Sequence, residues 1–206
     1  LINNMSKNRQ DFLVINDMVT NNSKVLDVGC DDGSLLKMLQ ESKNVDARGI
    51  EISAEGVNTC LAKGLSAVQG DANLDLEMYP ENSFDFVILS KTLQSMIEPK
   101  KTLEELLRIG KNAIVSIPNF AHWKVRLYLL LHGRMPVTPS LPDTWYNTEN
   151  IHLCTINDFI NLCEELEIQI IKSVVLDKKG NLLNFANRIK SVNLIGEQGI
   201  FLLKRK

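Results

Sequence analysis

The chain has 206 residues, of which 44% are hydrophobic and 23% are charged, and its formal net charge is -2 at pH 7. This composition is that of an ordinary globular protein with one core. The small net charge gives no reason to expect a nucleic-acid partner or an acidic membrane surface. No apolar stretch is long enough to span a bilayer and no leader sequence is recognisable, so we expect a cytoplasmic protein without a membrane partner.

The four cysteines are scattered along the chain at Cys30, Cys60, Cys154 and Cys163. None of them forms a CxxC pair or a spacing typical of metal ligands, so we predict neither a zinc site nor a redox motif. Isolated thiols fit a reducing compartment, where they act as small apolar residues.

The first half of the chain alternates between apolar runs and amphipathic stretches, which is typical of parallel βαβ units. Helices are predicted over residues 11–19, 34–40, 54–63 and 100–108. Strands are predicted over residues 24–28, 47–50, 67–69, 84–89 and 113–117. The run at 84–89 is almost continuously apolar, as expected for a strand that is buried on both faces.

The second half opens with an insertion at residues 119–150 that contains both tryptophans. A connection of this length usually folds into a functional element. Beyond it we predict a helix over 156–166 and strands over 168–176 and 199–203. We expect one domain over residues 1–206, with an α/β, Rossmann-like, doubly wound and mostly parallel seven-stranded sheet. An antiparallel C-terminal hairpin is predicted to form the edge of this sheet.

The candidate site begins where the first predicted strand ends, at Asp27, and continues into a turn with Gly29, Cys30, Asp31 and Gly33. A glycine turn between a strand and a helix leaves backbone N–H groups beside a ligand. The glycine spacing differs from the G-x-G-x-x-G pattern of dinucleotide-binding oxidoreductases, which disfavours that class. The acidic side chains would repel a pyrophosphate but suit a cationic ligand. On this segment alone, a glycine turn without a ligand remains an alternative.

Further candidates follow the next three predicted strands. Glu51 and Ile52 end the second strand, and a carboxylate there can accept hydrogen bonds from both ribose hydroxyls. Asp71 and Ala72 follow the third strand, where Asp71 could accept from an adenine amino group. Ser90 closes the fourth strand. Each acidic residue alone could equally be a helix cap or a solvated charge. Together they predict a site for S-adenosylmethionine or S-adenosylhomocysteine.

These motifs are similar to those of class I methyltransferases in their order: Asp-x-Gly-x-x-x-Gly, a glutamate, Gly-Asp-Ala and the apolar fourth strand. The sequence resembles the methionine-biosynthesis protein MetW family more closely, over most of residues 9–176. The segments that carry this resemblance are 89–94, 118–127, 133–138 and 145–155. It implies a class I methyltransferase fold, a role in methionine biosynthesis and association with homoserine O-acyltransferase.

One position departs from the family pattern. The family's first motif is similar to Asp-Leu-Gly-Cys-Gly-Asp-Gly, and this sequence has Asp31 at the middle glycine. If the backbone there is left-handed, a side chain costs roughly 1–2 kcal/mol. A cost of this size would weaken ligand binding by about tenfold.

No catalytic residue is predicted. Residues 90–93 lack the Asn-Pro-Pro-Tyr motif that many N-methyltransferases carry there, and His122, His132 and His152 all flank or lie within the insertion. His122 could face the pocket or serve in packing. The sequence therefore leaves two functions open, and only one of them requires enzymatic activity. One is a partner or regulator of homoserine O-acyltransferase that retains the S-adenosylmethionine pocket. The other is an active methyltransferase on an unidentified small molecule.

The insertion contains a segment with helical apolar spacing at Trp123, Leu127, Leu130 and Leu131. We expect most of these side chains to pack on their own domain as a lid. The alternative is a docking surface, since aromatic and arginine residues are typical interface anchors. The basic edge of this segment is too small to indicate nucleic-acid binding.

Overall fold

The computed structural model describes residues 9–138, 142–183 and 189–206. The strands, numbered in chain order, are β1 (Lys24–Val28), β2 (Asp46–Glu51), β3 (Ser66–Gln69), β4 (Phe84–Ser90), β5 (Gly110–Pro118), β6 (Ile168–Leu176), β7 (Leu182–Leu183) and β8 (Gln198–Arg205). The helices are α1 (Gln10–Met18), α2 (Ser34–Lys43), α3 (Ala54–Ala62), α4 (Ala72–Asp75), α5 (Pro99–Ile109), α6 (Trp123–His132), α7 (Ile156–Glu165) and α8 (Ile189–Ile195).

The strands form one mixed sheet in the order β3-β2-β1-β4-β5-β8-β6-β7. The first five strands pair in parallel, and β8 runs antiparallel between β5 and β6. The doubly wound sheet with antiparallel C-terminal strands is thus confirmed, but the described strands number eight rather than seven. The extra strand is β7, which pairs with β6 through two residues. So short a strand has no periodicity that the sequence could reveal.

Helices cover both faces of the sheet, and its central strands carry apolar residues on both of these faces. Alternate residues of β4 enter different clusters: Val87 and Leu89 pack with α5 and α7, whereas Phe86 and Ile88 pack with α1 and α2. This alternation follows from the two-residue period of a strand. Among the described residues, no helix combines the length and hydrophobicity that a membrane span requires.

The base of the insertion is held by Asn119, which is 4% exposed. Its amide group donates to the carbonyl oxygens of Asn193 and Gly196, both at 2.8 Å. Its side-chain oxygen accepts from the backbone N–H groups of Ala121 and Ile156. One side chain therefore ties the start of the insertion to α7 and to the segment that leads into β8.

The prediction that the apolar residues of the insertion pack as a lid is wrong for α6. Within α6 only Val125 is buried, while Leu130 is 80% exposed and Leu131 is 67% exposed. Trp123 and Leu127 are also exposed. Helical spacing indicates that one face is apolar, but it does not determine what covers that face.

Two glycines with the same φ angle allow a test of packing around the turn after β1. Gly33 and Gly64 both have a φ of 74°. A Cβ at Gly33 would lie 2.5 Å from Leu65 Cδ1 and 2.8 Å from Cys60 Sγ, whereas a Cβ at Gly64 meets nothing within 4 Å. We expect Gly64→Ala to lower the free energy of unfolding by about 1 kcal/mol through the backbone alone. Gly33→Ala should lose roughly 1–3 kcal/mol more through overpacking.

Urea unfolding of the two variants and the parent chain measures this difference. Equal losses in Gly33→Ala and Gly64→Ala would contradict the packing account.

Candidate functional site

The sheet order reverses direction at β1, which has β2 on one side and β4 on the other. Ligands of open α/β sheets bind at the carboxyl ends of the strands at such a point. The structure brings all the predicted site residues to the carboxyl ends of β1 to β4 or the turns that follow them: Asp27, Gly29, Cys30, Asp31, Gly33, Glu51, Ile52, Asp71, Ala72 and Ser90. The turn after β1 is fixed to β2, since Gly29 N donates to Ile50 O at 2.8 Å.

The carboxyl group of Asp27 is buried without a hydrogen-bond partner on Oδ1 among the described residues. The side chain is 2% exposed. Burial raises its pKa to about 8, the charge of Arg9 opposes this rise and the charge of Glu51 adds to it. A buried carboxylate without a partner is costly, and a cationic group of a ligand would relieve that cost. The ammonium of S-adenosylmethionine fits this requirement.

Glu51 connects the ends of β1 and β2. Its Oε2 accepts from Asp31 N and its Oε1 accepts from Ser53 N, both at 2.9 Å. Each carboxylate oxygen has a second lone pair, so these bonds leave acceptor capacity for ribose hydroxyls. Ile52, the next residue, is 65% exposed and offers an apolar surface suited to an adenine ring.

Asp31 has a φ of 48°, so the middle position of the turn is left-handed, as the glycine at this position in the family motif suggested. Aspartate tolerates this conformation better than most residues do. Its backbone N–H is held by Glu51, and its side chain is exposed. The departure from glycine therefore leaves the turn intact.

Asp71 and Cys30 have structural roles that the sequence left open. Asp71 Oδ1 accepts from the backbone and side-chain nitrogens of Asn73, both at 2.9 Å, so Asp71 caps α4. Cys30 Sγ lies 3.9 Å from Cys60 Sγ in the core. Burial raises the pKa of both thiols, which makes them unreactive. Cys30 therefore contributes to the turn through its backbone.

The end of β4 is strained and held by β5. Lys91 has a φ of 57°, and its N–H lies 3.0 Å from both the carbonyl oxygen and the Oγ of Ser116. Ser90 Oγ lies 3.2 Å from the same Ser116 Oγ. Left-handed non-glycine residues cost energy and cluster at functional sites.

Sequence reasoning missed Asp11, whose Oδ2 lies 3.1 Å from Lys91 Nζ. Asp11 is 3% exposed on the buried face of α1, together with Ile15 and Met18. Burial would raise its pKa, but the charges of Lys91 and Arg9 lower it below the ordinary value. An acidic residue at helical spacing from apolar ones was the signal that could have revealed it.

The histidines make structural contacts. His122 caps α6, because its Nδ1 accepts from Lys124 N at 3.3 Å, and burial lowers its pKa. His132 stacks on Tyr128 with 4.4 Å between ring centroids. His152 Nε2 lies 3.4 Å from Ile97 O. These contacts favour the packing interpretation of His122.

A protein family and a known relative both match most of this chain. The family described as "Methionine biosynthesis protein MetW" matches residues 9–203. The bifunctional methionine biosynthesis protein MetXA/MetW of Rhodopirellula baltica is 34% identical over 164 residues. That match covers 75% of this chain and 26% of the relative, so the chain spans about a quarter of the relative's length.

Solved structures are similar in fold. A methyltransferase from Thermotoga maritima, described as S-adenosylmethionine-dependent and a possible histamine N-methyltransferase, has a TM-score of 0.68 at 16% identity, over 96% of this chain and 88% of that one. The [4+2]-cyclase SpnF has a TM-score of 0.65 at 16% identity, over 95% and 80%. The methyltransferase fold is confirmed. Because the same fold carries a cyclase, it does not determine the reaction.

The pKa of Asp27 predicts how stability depends on pH. Above about pH 4 the carboxyl ionises in the unfolded chain, whereas the folded chain keeps the proton up to about pH 8. Folding is therefore accompanied by the uptake of a proton between about pH 4 and pH 8. The contribution of Asp27 to the free energy of unfolding decreases as pH rises, by at most about 1.4 kcal/mol per pH unit. Asp27→Asn should lack this contribution.

The measurement is urea unfolding of the parent and Asp27→Asn at several pH values between 5 and 8. The stability of the variant relative to the parent should increase with pH. If the free energies of unfolding of the parent and the variant changed in parallel with pH, Asp27 would be ionised in the folded chain over the whole pH range.

Proposed function

Since the chain belongs to the MetW family of methionine biosynthesis proteins, we propose that it binds S-adenosylmethionine and acts in methionine biosynthesis with homoserine O-acyltransferase. The observation that carries the first part is the buried carboxyl group of Asp27 at the switch point of the sheet, whose Oδ1 has no hydrogen-bond partner in the described part of the chain. The second part is supported by the relative whose name joins MetXA and MetW in one chain.

In this proposal each residue at the edge of the sheet has a separate task. Asp27 holds the ammonium of the ligand, Glu51 accepts from its ribose hydroxyls, and Ile52 and Asp71 contact its adenine. Bound S-adenosylmethionine supplies an electrophilic methyl group. The chain's own residues bind and orient the ligand. His122 caps α6, His132 stacks on Tyr128 and His152 contacts a carbonyl oxygen, so none of them is assigned as a general base. We therefore favour a role as partner or regulator over methyl transfer.

The surface that we assign to the acyltransferase is the outer face of α6. Trp123, Leu127, Tyr128, Leu130 and Leu131 are each at least 39% exposed there. An apolar surface of this kind marks an interaction site more often than a free surface. The fused relative supports the acyltransferase as its occupant, because fusion keeps two cooperating domains at high effective concentration.

Calorimetric titration with S-adenosylhomocysteine tests the pocket. Glu51→Gln and Asp27→Asn should each weaken binding by about tenfold or more, since each removes a charge-assisted bond to the ligand. In the parent chain the affinity should rise between pH 6 and pH 8, because binding of the ammonium requires Asp27 to lose its proton.

The matched control is Asp46→Asn, at the opposite end of β2, where the carboxylate pairs with Arg48 on the exposed surface. Its affinity should equal that of the parent. No binding to the parent at about 1 mM ligand would refute the pocket.

The docking surface is tested with purified homoserine O-acyltransferase. Replacing Leu127 and Leu130 by aspartate places two charges on the exposed face and should weaken association by at least about tenfold. Leu182→Asp, on β7 and 67% exposed, serves as the control with unchanged association. Association is measured by interferometry, and S-adenosylhomocysteine binding confirms that each variant is folded. Equal binding of the two variants to the acyltransferase would refute the assignment of this surface.

A further inference from the structure

A cavity of about 500 Å³ opens beside the end of β4, next to the proposed cofactor site. Its walls come from α1, the end of β4, the loop after β6 and the end of the insertion. Its lining includes Asp11, Lys91, Gln94, Lys178, Lys179 and Gln198, and the carboxylates of Asp143, Glu149, Asp177 and Glu197 line the cavity as well. None of the predicted cofactor residues lines it. We propose that this cavity binds a free α-amino acid through its ammonium and its carboxylate.

The cavity wall contains an unsatisfied acceptor and an unsatisfied donor. Gln94 is 6% exposed, and its Oε1 is buried with no hydrogen-bond partner among the described residues. Its Nε2 donates to Lys91 O at 2.5 Å, so Oε1 is the atom that remains for a ligand. Gln198 Nε2 is also buried without a partner among the described residues. Buried polar atoms are nearly always paired, so these two atoms are available to a ligand that supplies a donor and an acceptor.

Charged side chains of both signs line the cavity on both sides. Asp11 lies on the side of β4, where Lys91 contacts it. On the other side, Gln198 pairs with Leu176 in the sheet, next to the loop that carries Lys178 and Lys179. Asp177 and Glu197 line the cavity on that side too, so the unpaired amide atoms rather than the net charge set the orientation. An ammonium is favoured at Gln94 Oε1, and a carboxylate is favoured at Gln198 Nε2. An α-amino acid carries both groups on one carbon.

The loop after β6 is built to present its lysines. The carboxylate of Asp177 accepts from the N–H groups of Lys179 and Asn181, at 2.7 and 2.9 Å, and therefore serves the turn. A Cβ at Gly180 would lie 2.4 Å from Gln10 Cγ, so this loop packs closely against the first turn of α1. This packing holds the loop in place on one wall of the cavity, and a wall held in place lowers the entropy cost of binding.

Calorimetric titration of the full chain with L-methionine and L-homoserine tests the proposal. At least one of them should bind. Two analogues of methionine separate the groups: 3-(methylthio)propylamine lacks the carboxylate, and 4-(methylthio)butanoate lacks the ammonium. Each should bind at least about tenfold more weakly than the amino acid, because each leaves one side of the cavity unpaired. No binding of either amino acid at about 10 mM would overturn the proposal.

Variants locate the binding to this cavity. Gln94→Met and Gln198→Met keep the length of the side chain and remove its hydrogen-bonding groups, so each should weaken amino-acid binding by about tenfold. Gln169→Met, at an exposed position of β6 outside the cavity, is the control and should bind like the parent. Unchanged affinity in both cavity variants, with circular dichroism that shows a native fold, would overturn the assignment.

A last titration separates this cavity from the cofactor site. With saturating S-adenosylhomocysteine the amino acid should bind with an affinity within about twofold of that without it, because the two ligands contact different residues. Competition would show that the cavity is the amino-acid end of the cofactor site and would overturn a separate site. The amino-acid titration needs no cofactor, so its result stands even if S-adenosylhomocysteine does not bind.

Discussion

The parallel pairing of β1 with β2 on one side and β4 on the other is the constraint on which the site depends. Parallel strands end at the same edge, and the reversal of strand order at β1 opens a crevice there. Residues far apart in sequence, such as Asp27, Glu51 and Ser90, meet at this edge because of the register alone. The apolar runs that bury β1 and β4 on both faces are therefore what positions the polar residues at their ends.

The same constraint makes the site energetically unfavourable in the folded chain. The end of β1 lies in the core, so the carboxyl of Asp27 is desolvated and its pKa rises to about 8. Lys91 adds a left-handed backbone at the end of β4, which Ser116 holds in place. Functional sites commonly retain such unfavourable groups, and the surrounding core compensates for them. Ligand contacts at this edge of the sheet would offset part of that cost.

Much of the parallel half could be predicted because its strands are short, apolar and separated by helices. β1 has the predicted bounds, whereas β5 begins earlier, at Gly110. Its first residues, among them Lys111, are polar, and only the pairing of Phe84 with Gly110 places them in the strand. β7 could not be predicted for the same reason, since backbone hydrogen bonds rather than side chains define a strand so short.

The sequence by itself determined the fold class, the family and the acidic residues at the strand ends, because periodicity and local motifs record these features. Only the tertiary structure decided which side chains are paired. It showed that Glu51 holds the turn, that Asp11 reaches Lys91 and that the face of α6 is exposed. Burial and pairing depend on distant parts of the chain that fold against one another, and no local pattern contains that information.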